Sequence, residues 1–510
     1  MTSALGVQLR KEVRALLPWW LCVAAATTAV SFLAQRYVGF PHFRNDLQFL
    51  VVMAHGLGVM VLAALSIGHE LTHGTLAALL VQPSSRLRIL LIKLFVLLAA
   101  VVALGALADW GPAGCCMSWQ VRVPNRLLVW GPVAVSVGLV PLLTMLTRKP
   151  LGGVVFAIVI PGLVFAVSEW LYPLQDSAHA WWLTWYGTLI TSGIGVLVLW
   201  RQFPRLQIAG DGSTRSWPGP ADSTERRVAS PRHWIWLLVK KELRLQYLTL
   251  SVSGLYVGAA ALILVARNQN PDYMGPTFYA LSALHGVFIA LLTGAMSSAE
   301  ERHLGTLASQ VLLPRAAWRQ WAIKVGVTLG LTAVLAIGLP ALLQTIHRPV
   351  DAFRIEDEFV IGVLLTTCAA MYVSSVSSNS LWALLASFPA LGLGFVVTLG
   401  LLAPAFRAVR TWIPVDHRRI GEILRAEFQS DAWQARTAQL QWFRWLEGDA
   451  ILWVTGAVAL LTLYFAARNH RSLERTVRTI ATQVATLLLM FWTATIACFA
   501  IARLAYSAIR

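Results

Sequence analysis

The chain has 510 residues, of which 57% are hydrophobic and 13% charged, and its mean hydropathy is +0.65. Soluble proteins carry about 25% charged residues, so this chain cannot clothe a water-soluble fold, and disorder, a collagen-like rod and a disulfide scaffold are excluded with it. An all-α polytopic membrane protein remains, and the +17 balance of 41 Lys and Arg against 24 Asp and Glu reads first as positive-inside bias rather than nucleic-acid affinity.

In chain order, the first 17 residues read as a basic amphipathic helix. They do not read as a signal peptide, because Gln8, Arg10, Lys11, Glu12 and Arg14 interrupt the stretch. Apolar runs then predict spans at 18–36, 47–67, 89–107, 127–146, 151–170 and 182–200. Residues 202–232, with Gly210, Asp211, Gly212, Pro218 and Pro220, read as a flexible linker. A second basic helix follows, with runs at 250–266, 277–296, 325–345, 359–377, 380–404 and 450–467. Ser374, Ser375, Ser377, Ser378 and Asn379 read as a polar turn between two of these runs. Segment 405–449 carries Trp412, Trp433, Trp442 and Trp445 and the four-residue steps Ile420, Leu424 and Phe428, which predict an amphipathic cover on the outer side. A thirteenth run, 480–502, either spans or lies against the bundle.

These runs divide the chain into a first six-span half (1–201), the linker (202–232), a second six-span half (233–467) and a basic loop with a hydrophobic helix (468–510). With the N-terminus in the cytoplasm, 25 of the 41 Lys and Arg fall in cytoplasmic segments, and seven of the others lie in the long segment 405–449. Long loops weigh little in the positive-inside rule, so this orientation is the expected one. The five cysteines show no metal or redox spacing.

The two halves repeat each other. Lys11, Glu12 and Arg14 recur as Lys241, Glu242 and Arg244 at an offset of 230, and His55-Gly56 recurs as His285-Gly286 at the same offset. Gly74-Thr75-Leu76-Ala77 recurs as Gly305-Thr306-Leu307-Ala308 at 231, and Pro83, Arg88 and Lys93 keep that offset to Pro314, Arg319 and Lys324. Six is even, so both halves start from the same side and form two parallel six-helix repeats about an axis along the membrane normal.

Between the second and third runs of each half the shared pattern is Glu, three residues, Gly-Thr-Leu, apolar residues, Pro, basic residues, and then Lys at the start of the next run. This pattern, with the preceding basic helix, resembles the ABC type-two permease family, the membrane subunits of ATP-driven exporters. The resemblance covers roughly 1–200 and 233–467. It implies that the short segment between runs two and three docks on a separate ATP-binding subunit, with the basic helix beside it. The docking residues carried over are Glu70, Gly74, Thr75 and Pro83, and Glu301, Gly305, Thr306 and Pro314. A carboxylate near a helix start, with a Gly-Thr step, would set the turn, and Pro would end or redirect the docking helix. No Gly-x-x-x-x-Gly-Lys-Ser/Thr phosphate loop occurs in the chain. The expected arrangement is therefore a plasma (inner) membrane permease that binds no cofactor itself, with ATP and magnesium on two ATPase copies. Substrate moves outward, and the bilayer rather than nucleic acid surrounds the chain.

Two other readings share these residues. His69-Glu70-Leu71-Thr72-His73 is a literal H-E-x-x-H, which on a helix would offer His69 and His73 to zinc and Glu70 as a general base. The second half reads Glu300-Glu301-Arg302-His303-Leu304 there and keeps only the glutamate. The other reading is a membrane scaffold that docks an ATPase and transports nothing. His55 and His285 lie mid-span at matching places. They either face a pathway or are neutral histidines packed against a neighbouring helix.

Overall fold

The computed structural model describes residues 2–36, 41–72, 75, 85–110, 125–171, 177–205, 233–267, 271–303, 317–346, 357–387, 390–391, 408–409, 411, 453–471 and 476–508. Among them no strand occurs. The helices are α1 (Thr2–Arg36), α2 (Pro41–Thr72), α3 (Arg86–Trp110), α4 (Asn125–Thr147), α5 (Pro150–Leu171), α6 (Ser177–Gln202), α7 (His233–Leu245), α8 (Tyr247–Arg267) and α9 (Pro271–His303). After these come α10 (Ala317–Thr332), which runs through a π-helical turn (Ala333–Gly338) into α11 (Leu339–Ile346), and then α12 (Asp357–Val376). A short α13 (380–387), α14 (453–471) and α15 (Val477–Ala508) complete the described elements.

Among the described residues, ten apolar helical stretches are long enough to cross a membrane by length and composition. They fall at 54–71, 86–109, 128–147, 150–168, 181–205, 247–265, 281–302, 317–345, 359–376 and 477–501, and each overlaps a run expected from the sequence. Run 18–36 is the second half of α1 and run 450–467 lies largely in α14, and neither is among the ten. Most of run 380–404, of linker 202–232 and of segment 405–449 lies outside the described residues.

The chain divides into two compact units, 1–234 with 247–285 and 343–353, and 235–246 with 286–342 and 354–510. In the first unit α8 packs on α5. In that unit α4 is surrounded by α2, α3, α5 and α6. Gly138 permits the α4–α6 approach, because a Cβ there would lie 2.2 Å from the Ser192 carbonyl oxygen. Ile67, Ile89, Leu90, Leu142, Leu199 and Phe203 form a buried core at the same end as the C-terminus of α2. The second unit has its own core of Trp321, Met371, Tyr372, Phe465 and Ala466. There Gly294 brings α9 against α12, since a Cβ would meet the Thr367 carbonyl oxygen at 2.8 Å.

Two local expectations need correction. The leading helix and first span of the first half are one helix, and α1 runs through Pro18. Proline removes one hydrogen bond, to the Arg14 carbonyl, and two residues on the Trp20 indole N–H donates to Ala100 O of α3 at 2.9 Å. In the second half, with no proline, the helix breaks at Gln246. The Gln246 N–H is shared between Glu242 O (3.2 Å) and Leu243 O (3.1 Å), and its buried side-chain amide donates to Thr293 O at 3.1 Å. The serine run is not simply a turn either. Ser374 and Ser375 are fully buried in α12, and the Ser374 hydroxyl donates to Ala295 O at 2.7 Å while accepting the Ser298 and Ala299 N–H groups at 3.0 and 2.9 Å.

Candidate functional site

The repeated charged residues converge on one buried lysine in each unit. In the first unit α1 supplies Lys11 and Glu12, the last turn of α2 supplies Glu70, and α3 supplies Lys93. The Lys93 ammonium donates to Glu12 Oε1 (2.8 Å) and Oε2 (2.9 Å) and to the Ser66 carbonyl (3.1 Å), and it lies 3.1 Å from Glu70 Oε1. Lys93, Glu12 and Glu70 are all buried. The Lys11 side chain is more than half exposed and stands 3.6 Å from Glu70 Oε1. Glu70 Oε2 is buried and accepts no hydrogen bond among the described residues.

In the second unit α7 supplies Lys241 and Glu242, the last turn of α9 supplies Glu301, and α10 supplies Lys324. The Lys324 ammonium donates to Glu301 Oε2 and to the Ser297 carbonyl (2.7 Å), with Glu242 Oε1 at 3.6 Å. Lys241 donates to the other Glu301 oxygen at 2.5 Å. Each cluster holds two formal positive and two formal negative charges, so each carries no net formal charge. That balance is what a buried ionic group requires.

The environments separate the second cluster's carboxyls. Burial, opposed by the Lys324 cation, pushes the Glu242 carboxyl up to about 6. Further ionic groups pack close by. Glu300 is buried and accepts the Ser380 hydroxyl at 2.7 Å, while Arg302 reaches the Asn469 carbonyl at 3.4 Å. Burial and then the Lys324 cation hold the His470 imidazole down at about 3, so it is neutral beside the Ser298 hydroxyl (3.3 Å) and the Trp321 ring.

The sequence-stated docking carboxylates therefore sit differently from the expectation. Glu70 and Glu301 lie in the last turn of α2 and of α9 rather than near a helix start, and their side chains are buried against lysine. A carboxylate in a helix's last turn opposes the helix dipole, so the lysines, not the helix ends, hold these groups. The Thr75 N–H donates to Glu70 O at 3.0 Å. This is the six-to-one closure of a helix whose preceding residue is characteristically glycine, and Gly74 occupies that place in the sequence. The Gly-Thr step is thus a stop signal for α2. Thr75 itself is exposed, and Gly74, Pro83, Gly305, Thr306 and Pro314 lie outside the described residues.

No protein-family model, curated protein or solved structure matches the chain. The remaining candidates are therefore judged on geometry alone. His69 is exposed while Glu70 points into the lysine cluster, so the two do not share a face at this helix end, and His73 lies outside the described residues. Among the described residues no group of three His, Cys, Asp or Glu is placed to hold a metal. His55 is fully buried and its Nε2–H donates to Val129 O of α4 at 3.2 Å. His285 stacks on Tyr256 with ring centroids 3.8 Å apart, and the Tyr256 hydroxyl pairs with Ser282 at 2.8 Å. Both histidines are packed side chains. Arg14 and Arg244 are exposed on the outward faces of their helices. The Ser66 and Ser297 carbonyls carry no sequence signal, because any residue supplies a carbonyl. The repeat offset of 231 would nonetheless have paired the two positions.

Proposed function

We propose that the chain is the membrane-spanning subunit of an ATP-driven exporter, built as two parallel six-span repeats whose ATPase is a separate polypeptide. The observation that carries this reading is the twice-built lysine–glutamate cluster. In each unit it ties the basic leading helix to the end of the second run and the start of the third, on either side of the segment that resembles a docking element. Force applied to that segment would reach three helices through one buried ammonium. A buried ion pair is a poor source of net stability but a stringent fixer of geometry, which suits a part that transmits motion. On this reading the docking surface itself is the exposed part of the segment, Thr75 included, while Glu70 and Glu301 brace it from inside. The N-terminus is cytoplasmic and the chain lies in the plasma (inner) membrane.

The test is affinity purification of the full chain from its own cells in mild detergent. The expected result is a stoichiometric ATP-binding partner that is lost in Thr75→Trp while the parent fold persists. Reconstituted vesicles should then show ATP-dependent efflux of a lipophilic dye. A chain that purifies without any nucleotide-binding partner would defeat the reading. Partner binding without flux would support a scaffold instead.

A further inference from the structure

An apolar groove of about 540 Å³ lies within the first unit between α3, α4 and α6. Its walls are Leu98, Trp130, Val133 and Trp185, and Gly138 and Ser192 line it as well. Leu98, Gly138 and Ser192 sit near the middle of the spanning-length apolar stretches 86–109, 128–147 and 181–205, while Trp130 and Trp185 sit near the starts of the last two. The groove therefore opens at the depth of the bilayer's hydrocarbon, where water does not compete for polar groups. Leu98 is exposed at its rim.

One feature is foreign to a lipid-filled crevice. Ser192 is 5% exposed, and its hydroxyl has no hydrogen-bond partner among the described residues. A helical serine ordinarily bonds back to the carbonyl four residues earlier. Here that acceptor is Thr188 O, and the Thr191 hydroxyl already donates to it at 3.0 Å. The indole N–H of Trp130 is directed to Asp109 Oδ2 at 3.4 Å, which leaves its ring as apolar wall. The result is a hydrocarbon slot between two indoles with a single unsatisfied hydroxyl, of a volume ordinary for small-molecule sites.

We propose that this groove binds a neutral, bilayer-soluble molecule with a largely hydrocarbon, ring-bearing body and one hydrogen-bonding oxygen, a ketone or hydroxyl, that pairs with Ser192. Saturated acyl chains lack an oxygen at this depth and fill the slot without satisfying the serine. The site stands on the geometry of the first unit and does not rest on the exporter reading.

An alkyne-tagged benzophenone provides the probe, since it is apolar, carries one carbonyl and crosslinks on irradiation. The full chain is labelled in phosphatidylcholine vesicles, with untagged benzophenone or its hydrocarbon counterpart diphenylmethane as competitor. Labelling should concentrate in peptides spanning 98–102, 130–138 and 185–196, and benzophenone should compete at least about fivefold better than diphenylmethane, the worth of one buried hydrogen bond of about 1 kcal/mol. Ser192→Ala should erase that preference while the helical circular dichroism stays unchanged. Ala134→Trp, which fills the groove without touching Ser192, should reduce labelling there about tenfold. Labelling spread over all exposed helices, or equal competition by both compounds in the parent, would mean that only acyl chains occupy the groove and would overturn the proposal.

Discussion

The two charged clusters are built from residues at matching positions, yet they are wired differently. In the first, Lys93 grips both oxygens of Glu12, so the leading helix is held by its own carboxylate, and Lys11 stands off at 3.6 Å. In the second, Lys324 and Lys241 converge on the two oxygens of Glu301, so the leading helix is held by its lysine, and Glu242 stands off at 3.6 Å. The same four residue types therefore give a carboxylate-centred tether in one unit and a lysine-centred tether in the other. The backbone explains the difference in part. α1 is continuous and descends past Pro18 as one rod, whereas α7 ends at Gln246, where a separate amide bond to Thr293 O fixes the chain. A helix anchored at its end need not be anchored again by Glu242.

The largest effects should come from the central lysines. Lys93→Met leaves Glu12 without a cation and Glu70 with only a distant one. Thermal unfolding of the full chain in detergent should register a loss of about 3–5 kcal/mol, the usual consequence of orphaning a buried ionic partner. Lys324→Met leaves Lys241 on Glu301, and its loss should be clearly smaller. Equal losses would erase the asymmetry. Next come the tethers themselves. Glu12→Gln and Lys241→Met should each cost about 1.5–3 kcal/mol, the range for hydrogen bonds to charged groups, and hydrogen exchange should rise in α1 for the first and in α7 for the second. If Glu242→Gln loosened α7 as much as Lys241→Met does, the second cluster would be wired like the first.

A third effect concerns pH. Burial holds the Glu242 carboxyl at about 6 in the folded chain, above its ordinary 4.5. The folded state therefore keeps a proton that the unfolded state loses between these values. The stability Glu242 contributes is full below pH 4.5 and is lost as pH rises through 6, by at most about 2 kcal/mol. Melting the parent and Glu242→Gln side by side from pH 4 to 7 should show the parent losing ground to the variant across that window and holding a constant gap above it. A gap that moved the other way would mean that Glu242 is ionised against Lys324 throughout.

Much of this arrangement is legible in the sequence. Hydropathy located the runs, and the constant offset singled out Lys11, Glu12, Lys93 and their counterparts, because charges in apolar surroundings are rare enough to stand out. The offset does not tell which way a side chain faces. Glu70 lies next to exposed His69, and only the packing of α1 and α3 around the end of α2 decides that the glutamate turns inward. The join between leading helix and first span is legible in only one half. The sequence reads a separate leading helix in both halves, yet α1 runs on through Pro18 with Trp20 tied to Ala100 O, and only the second half breaks, at Gln246, where the side-chain amide is bonded. Ser374 looked like a turn because serine usually is one, and its three hydrogen bonds to α9 depend on a residue about 80 positions away.

The smallest expected effect is the one that most sharply separates the units. Lys11 and Lys241 are equivalent in sequence, but Lys11 is 57% exposed at 3.6 Å from its carboxylate, while Lys241 is 32% exposed at 2.5 Å. An exposed pair is worth about 0–1 kcal/mol and is screened by salt. Lys11→Met should therefore shift the melting temperature little, and raising the salt to about 1 M, where the screening length falls to about 3 Å, should remove what shift there is. The contribution of Lys241 should survive the same salt because its partner Glu301 is fully buried. A salt-resistant loss in Lys11→Met would place Lys11 on the unpaired Glu70 Oε2 in the working protein, and the two clusters would then be wired alike.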